Sequence, residues 1–400
     1  MKTLLLTAAA LIAHSLSGSA AMPATPPPVA TAVSSYDALD TRIEELMARN
    51  DVKGMAIAII EGNAIRHIRA FGYANVEDQR PLKTDTIMYA ASITKAAFAY
   101  MVLQLVDEGK IDLDRPIREY LARPLPEYSG GERDWSSLEG DDAWRLLTPR
   151  MLLTHSSGLA NLRWFEPDND MSFHFTPGTA YAYSGEGFYL LQFVLEEGLG
   201  LDVKEEMQRR IYDRFGMPNT SMQWRDDFAD HLADGYEFDG TFVPHDHRDN
   251  VSASGSMDST IADQARMWRG MMMGEGLSTE MRAEWTRPEV PIHTKSKFPT
   301  IEVLGTYDPR GPQVHLAGAL GVDTWRGPSG WFFAKGGHND WTGNIVQCDE
   351  SNKRCLALLG NDVRAELIYP AIVTMVLGNT RYPWWWTYPE LFGGDEPPRM

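Results

Sequence analysis

Ser92-Ile93-Thr94-Lys95 sets a hydroxyl and an amine three residues apart, and no other Ser in the chain has Lys at that spacing. On a helix the two side chains share a face and can share a hydrogen bond. A free amine there can take the hydroxyl proton and turn Ser92 into a nucleophile for acyl transfer. If Ser92 opens the helix, the positive helix end and its free N–H groups favour an alkoxide and an oxyanion. An apolar helix beneath Lys95 removes water from the amine and lowers its proton affinity. By themselves these four residues fit a helix-capping Ser with a solvated Lys equally well, since about one S-x-x-K match arises by chance in a chain this long.

Other reactive side chains are sparse. His245 and His247, at i and i+2, would share one face of a strand, but they lack an evident third ligand for a metal. Met271-Met272-Met273 reads as helix packing. Trp384-Trp385-Trp386, with Tyr382 and Tyr388, reads as packing against an α/β lobe, with an aromatic wall at a substrate mouth as the sharper alternative. The two cysteines, Cys348 and Cys355, are flanked by strand-like runs over 344–346 and 356–359. They face each other across a hairpin on this reading, and export would favour a disulfide that staples it.

The elements that must position these groups follow from periodicity. Residues 37–49 have helical spacing, with Leu39, Ile43, Leu46 and Met47 on one side. Residues 55–60 read as a buried strand that turns at Glu61-Gly62-Asn63 into a second strand over 64–72. An Ala-rich helix runs over 92–105 and ends at Gly109. A mostly helical, loop-rich stretch occupies about 110–245, and Ser259-Thr260 caps a helix over 261–273. Strands return over 331–335, 343–348 and 354–359, before a closing helix over 369–377. Strands at both ends and helices between predict an α/β (α+β) fold: an antiparallel sheet flanked by helices, with an inserted helical lobe. The catalytic domain is then 36–400, with an α/β lobe from 36–90 and 246–400, a helical lobe over 91–245, and a cleft between them.

The 400 residues are 43% hydrophobic and 23% charged, ordinary for a globular chain, with a net charge of −18. That charge repels phosphate backbones and anionic membrane surfaces, which argues against a nucleic-acid partner. Lys2, the apolar run 4–13 and the small residues 17–21 have the form of a secretory signal peptide over 1–21, too short to span a bilayer as a stable membrane anchor. A Pro/Ala-rich linker over 22–35 follows. Export to a periplasm or beyond the cell is the expectation.

Further along, Leu152-Leu153-Thr154-His155-Ser156-Ser157-Gly158-Leu159 resembles the L-L-T-H-T-S-G-L segment of the β-lactamase-like serine hydrolases. That superfamily includes class C β-lactamases, D-Ala-D-Ala carboxypeptidases and family VIII esterases. Pro177-Gly178-Thr179-Ala180-Tyr181-Ala182-Tyr183-Ser184-Gly185 is similar to its P-G-x-x-x-x-Y-S-N segment, and Ala253-Ser254-Gly255-Ser256-Met257 to its A-G-G-L stretch. Lys335-Gly336-Gly337 stands where its K-T-G strand belongs; His338-Asn339-Asp340 offers a second register.

The resemblance implies that Ser92 is the acylated nucleophile and Lys95 its activator. It makes Tyr183 a proton shuttle, and Lys335 the residue that holds Tyr183 ionised or binds a substrate carboxylate. The backbone N–H groups of Ser92 and His338 would form the oxyanion hole, and His155 would be structural rather than part of a triad. Gly185, Gly336 and Gly337 would line the substrate site. Gly185 replaces the Asn, and Gly336 the Thr, that grip amide and carboxylate groups in relatives. These departures point to a small-molecule ester or unusual amide, with no metal or organic cofactor. The alternatives are a D-amino-acid peptidase or carboxypeptidase, a β-lactamase, or a non-catalytic penicillin- or peptidoglycan-binding protein.

Overall fold

The computed structural model describes residues 35–393. The proposed signal peptide, and all but the last residue of the linker, lie outside the described residues. In chain order the strands are β1 (Gly54–Glu61), β2 (Ala64–Asn75), β3 (Arg80–Pro81), β4 (Met88–Tyr89), β5 (Gly235–Tyr236), β6 (Phe242–Val243) and β7 (Asp258–Ser259). Then come β8 (Val290–Pro291), β9 (Ala317–Gly318), β10 (Asp323–Gly327), β11 (Gly330–Asn339), β12 (Thr342–Asp349) and β13 (Arg354–Gly360). The α-helices are α1 (Tyr36–Arg49), α2 (Ile93–Asp107), α3 (Pro149–Leu153), α4 (Gly185–Phe193), α5 (Val203–Met207) and α6 (Ile261–Met273). The last five are α7 (Thr279–Trp285), α8 (Arg310–Gln313), α9 (Tyr369–Leu377), α10 (Trp384–Thr387) and α11 (Pro389–Phe392).

Nine strands form one antiparallel sheet in the order β3-β2-β1-β13-β12-β11-β10-β9-β8. The first and last strands meet near its centre, where β1 pairs with β13 from Met55↔Gly360 to Glu61↔Arg354. β1 has no polar face because both of its faces are covered. Ala56, Ala58 and Ile60 join one core with α2 and α6, whereas Met55, Ile57 and Ile59 join a second core with α1 and α9. Period-2 alternation thus sorts one apolar run into two packing layers. The sheet ends at both sides on two-residue strands that each carry a proline, Pro81 and Pro291.

α2 is buried from Ile93 through Leu105 on every side, which explains its unbroken Ala, Phe, Met, Val and Leu content. Between α2 and α6 the chain is a series of short helical turns, with the small β5–β6 hairpin near its end. Cys348 and Cys355 stand opposite each other in the β12–β13 register and their sulfurs are bonded. β8, β9 and β10 were not foreseen in the sequence; they are two to five residues long, too short for alternation to register. Among the described residues no helix is long and apolar enough to cross a membrane.

One detail of the sheet creates the site. β10 pairs with β11 only as far as Asp323↔Ala334, while β12 follows β11 to Asn339↔Thr342. From Lys335 onward one edge of β11 therefore has no strand beside it, and the N-terminus of α2 meets it there.

Candidate active site

Ser92 sits at the N-cap position of α2, yet its side chain makes no capping hydrogen bond. The preceding residue, Ala91, has φ 48°, a left-handed conformation that costs a non-glycine residue about 1 kcal/mol. This bend carries the Ser92 hydroxyl off the helix axis. The loop is held by Ala90 N–H donating to Met257 O (3.0 Å) and by Asn344 Nδ2 donating to Tyr89 O (3.0 Å). Thr94 Oγ1 donates to Ala91 O (2.6 Å) and accepts from Met257 N–H (3.1 Å). The Ser92 N–H has no backbone partner among the described residues.

Lys95 Nζ lies 3.1 Å from Ser92 Oγ and also donates to Ser254 O. The amine is buried, and among the described residues no carboxylate is hydrogen-bonded to it. Burial first, and then the charge of Lys297, bring its pKa down to about 7. The capping reading of Ser92 and the solvated reading of Lys95 both fail on this geometry.

Tyr183 faces this pair from the loop before α4. Its ring centroid is 5.0 Å from Lys95 Nζ, and Lys335 Nζ donates to its hydroxyl at 3.3 Å. His155 explains why the loop holds this position. Its ring packs 4.3 Å from that of Tyr183, its Nδ1 accepts from Ser184 N–H (3.1 Å), and its C=O accepts from Ala182 N–H (2.9 Å). Burial, reinforced by Lys95, Lys335 and Lys297, holds the His155 imidazole neutral, well below its usual value. No Ser-His-Asp relay is assembled: His155 braces Tyr183. Burial also drives the Tyr183 phenol above its usual value, although a hydrogen bond with Ser92 opposes this. Desolvation favours the neutral phenol, and Lys335 is itself held well below the usual ammonium value by burial and by Lys297 and Lys95.

On β11, Lys335 points across the cleft, and its Nζ also donates to Gly336 O (2.7 Å). In a strand the N–H and C=O of one residue share an edge, and alternate residues share that edge. The backbone groups of Gly336 and His338 therefore face the open edge. A Cβ at Gly337 would lie 2.3 Å from Ala90 O and 3.2 Å from Ser92 N, so only glycine lets β11 approach the α2 N-terminus. The His338 side chain is half-exposed, with Nδ1 2.9 Å from Glu366 Oε1. Partial burial works against its charge, but the hydrogen bond and charge of Glu366 outweigh it and raise the pKa. Asn339 Oδ1 accepts from Trp341 N–H and Thr342 N–H, so the second register, His338-Asn339-Asp340, falls at the hairpin turn while Lys335 occupies the cleft.

The two glycine departures differ physically. A Cβ at Gly336 would meet nothing closer than Asn344 O at 3.6 Å. A Cβ at Gly185 would sit 2.7 Å from Asn161 O and 3.2 Å from Asn161 Oδ1. Gly185 N–H donates to both of those oxygens, at 2.9 and 3.0 Å. Gly185 is thus part of a close contact with Asn161, rather than a simple loss of an amide.

The remaining candidates lie apart. His245 and His247 are not on a strand. His245 Nδ1 bonds Ala233 O (2.9 Å), and both rings lie against Trp224, with centroids 6.2 Å away for His245 and 3.6 Å for His247. Met271 and Met272 are buried and Met273 is exposed at the helix end. Trp384 and Trp386 pack in the α1/α9 core, and Trp386 touches Tyr181 (5.9 Å) behind the site. Four contributors escaped the sequence reading: the Ser254 carbonyl, Lys297, Asp323 and Tyr181. Lys297 Nζ donates to Asp323 Oδ2 (2.7 Å), and Tyr181 OH donates to Asp323 Oδ1 (3.0 Å). Only Tyr181 and Ser254 fall within quoted segments, and neither had been given a role.

The Beta-lactamase family model matches residues 39–369. Penicillin-binding protein 4* of Bacillus subtilis is 25% identical over 274 residues, which are 60% of this chain and 56% of that protein. Esterase EstB of Burkholderia gladioli is 26% identical over 205 residues, covering 45% and 49% of the two chains. The chain spans about half the length of the curated relatives it matches. The octameric penicillin-binding protein homologue from Pyrococcus abyssi superposes with a TM-score of 0.68 at 20% identity, covering 89% of this chain and 81% of that one. The chain belongs to the beta-lactamase family of serine hydrolases.

Proposed function

We propose that this chain is an exported serine hydrolase, periplasmic or secreted, that cleaves small esters or unusual amides through an acyl-enzyme on Ser92. The observation that carries the reading is the buried Lys95 amine, 3.1 Å from a Ser92 hydroxyl free of any capping bond. In the first step Lys95 takes the Ser92 proton, and Oγ attacks the substrate carbonyl carbon. The N–H groups of Ser92 and His338 hold the oxyanion. Collapse of the tetrahedral adduct expels the leaving group, which receives the proton from Lys95 by way of the neutral Tyr183 phenol. Water, deprotonated by the same pair, then attacks the ester, and collapse of that adduct releases the acid while Ser92 Oγ takes the proton back from Lys95.

Esters lead because positions 185 and 336 offer neither the amide nor the hydroxyl that grips peptide-like substrates. A D-amino-acid peptidase or carboxypeptidase ranks second and a β-lactamase third. The test is labelling with fluorophosphonate and penicillin probes and mass spectrometry of the adduct. Turnover of p-nitrophenyl esters, a chromogenic cephalosporin and D-Ala-D-Ala peptides is then compared. Rapid cephalosporin turnover with inert esters would invert the ranking. No adduct on Ser92, with Ser92→Ala indistinguishable from wild type, would leave a non-catalytic penicillin- or peptidoglycan-binding protein.

A further inference from the structure

Three amines surround one phenol in this site, whereas the steps proposed above use only Lys95. Lys297 Nζ stands 4.7 Å from the Tyr183 ring centroid, against 5.0 Å for Lys95 and 5.1 Å for Lys335. Lys297 belongs to the segment between β8 and α8, and its side chain is 5% exposed. Its backbone N–H donates to Trp386 O (2.8 Å), and its ammonium lies 5.1 Å from the Trp386 ring. The Trp-rich C-terminal segment therefore holds this lysine in place. Among the described residues Asp323, from β10, is the one carboxylate bonded to any of the three amines, and Tyr181 OH fixes its other oxygen.

We propose that Lys297 is a positioning residue of the active site: paired with Asp323, it carries the cluster's fixed positive charge, and so leaves Lys95 as the free amine that serves Ser92. The inference rests on Ser92 being the nucleophile. The groups facing Lys95 are Tyr183 from the loop before α4, His155 after α3, Lys335 on β11 and Lys297 itself. Burial and Lys297 are the two causes that depress Lys95. Both amines lie within about 5 Å of the same ring centre, so they are at most about 10 Å apart. At an effective dielectric constant of about 20, two unit charges at that separation shift each other's titration by about one pH unit.

The test is the pH dependence of Ser92 labelling by a fluorophosphonate in the full chain. Lys297→Met removes a cation and leaves Asp323 uncompensated, so the half-maximal pH moves up by about one unit or more. Asp323→Asn removes the anion and moves it down. Lys297→Arg keeps the charge and the wild-type limb. Opposite shifts from the two halves of one ion pair cannot come from general loss of structure, and Asp323→Asn serves if Lys297→Met does not fold. Labelling with an unmoved limb in either variant overturns the role of Lys297. Absence of labelling in the wild type at any pH overturns instead the assignment of Ser92 as nucleophile.

Discussion

Replacing Gly337 by Ala puts the oxyanion geometry to a direct test. The new methyl carbon would stand 2.3 Å from Ala90 O, about 1 Å inside an ordinary C···O contact of roughly 3.3 Å. Ala90 has little freedom to retreat, because its N–H is bonded to Met257 O and the carbonyl before it to Asn344. The displacement must instead separate β11 from the α2 N-terminus, pulling the His338 N–H away from that of Ser92. A 1 Å error in a catalytic constellation costs about 100-fold, and losing one oxyanion donor costs about 100- to 1,000-fold, or roughly 3–4 kcal/mol. Acylation by a p-nitrophenyl ester, followed as kcat/KM and as the pre-steady-state burst, should therefore fall at least 100-fold. Gly336→Ala is the matched comparison: same strand, same added methyl, and nothing nearer than 3.6 Å. It should keep most of the activity. Equal activity in the two variants, both folded by circular dichroism, would refute the argument that β11 must touch the nucleophile loop.

Lys95, with its pKa lowered to about 7, must be the free amine to act, so kcat/KM should climb with pH through about 7 and then level. Its folded pKa lies below the unfolded value, so the unfolded chain binds the extra proton between about pH 7 and 10.5; urea denaturation should show stability rising across that window, and Lys95→Met should flatten the rise. Gly185→Asn should cost about 1–3 kcal/mol by overpacking against Asn161, read as a lower urea midpoint, without any gain of cephalosporin turnover. Replacing Cys348 and Cys355 by Ser removes a cross-link over a short loop, which the chain-entropy relation values at about 2–3 kcal/mol; urea unfolding of the pair variant checks it.

Where a segment had a strong period, the fold was legible. Residues 55–60 formed β1, and the Ala-rich run after Ser92 formed α2, because continuous apolar content demands burial on all sides. The contact between Ser92 and Lys95 was legible too, since i and i+3 on a helix admit few geometries. Side chains brought in by tertiary structure were not. Lys297 lies in an irregular Ser-Lys-Phe-Pro stretch with no period, and only packing against Trp386 brings its amine to Tyr183. Ser254 acts through its carbonyl, so its side chain carries no signal of that role. Proximity of Tyr183 to Lys335 is visible in a motif, whereas the burial that raises its phenol is not. Gly185 looked like a deletion until Asn161 appeared against it.

The proline-bearing two-residue strands at the two margins of the sheet bear on how this protein behaves among its own copies. An open sheet margin is a template for another chain, and a long flat one invites runaway strand addition. Here Arg80–Pro81 and Val290–Pro291 give a newcomer almost nothing to pair with, since each is brief and its proline has no N–H to donate. Strand addition at these two short segments is therefore disfavoured.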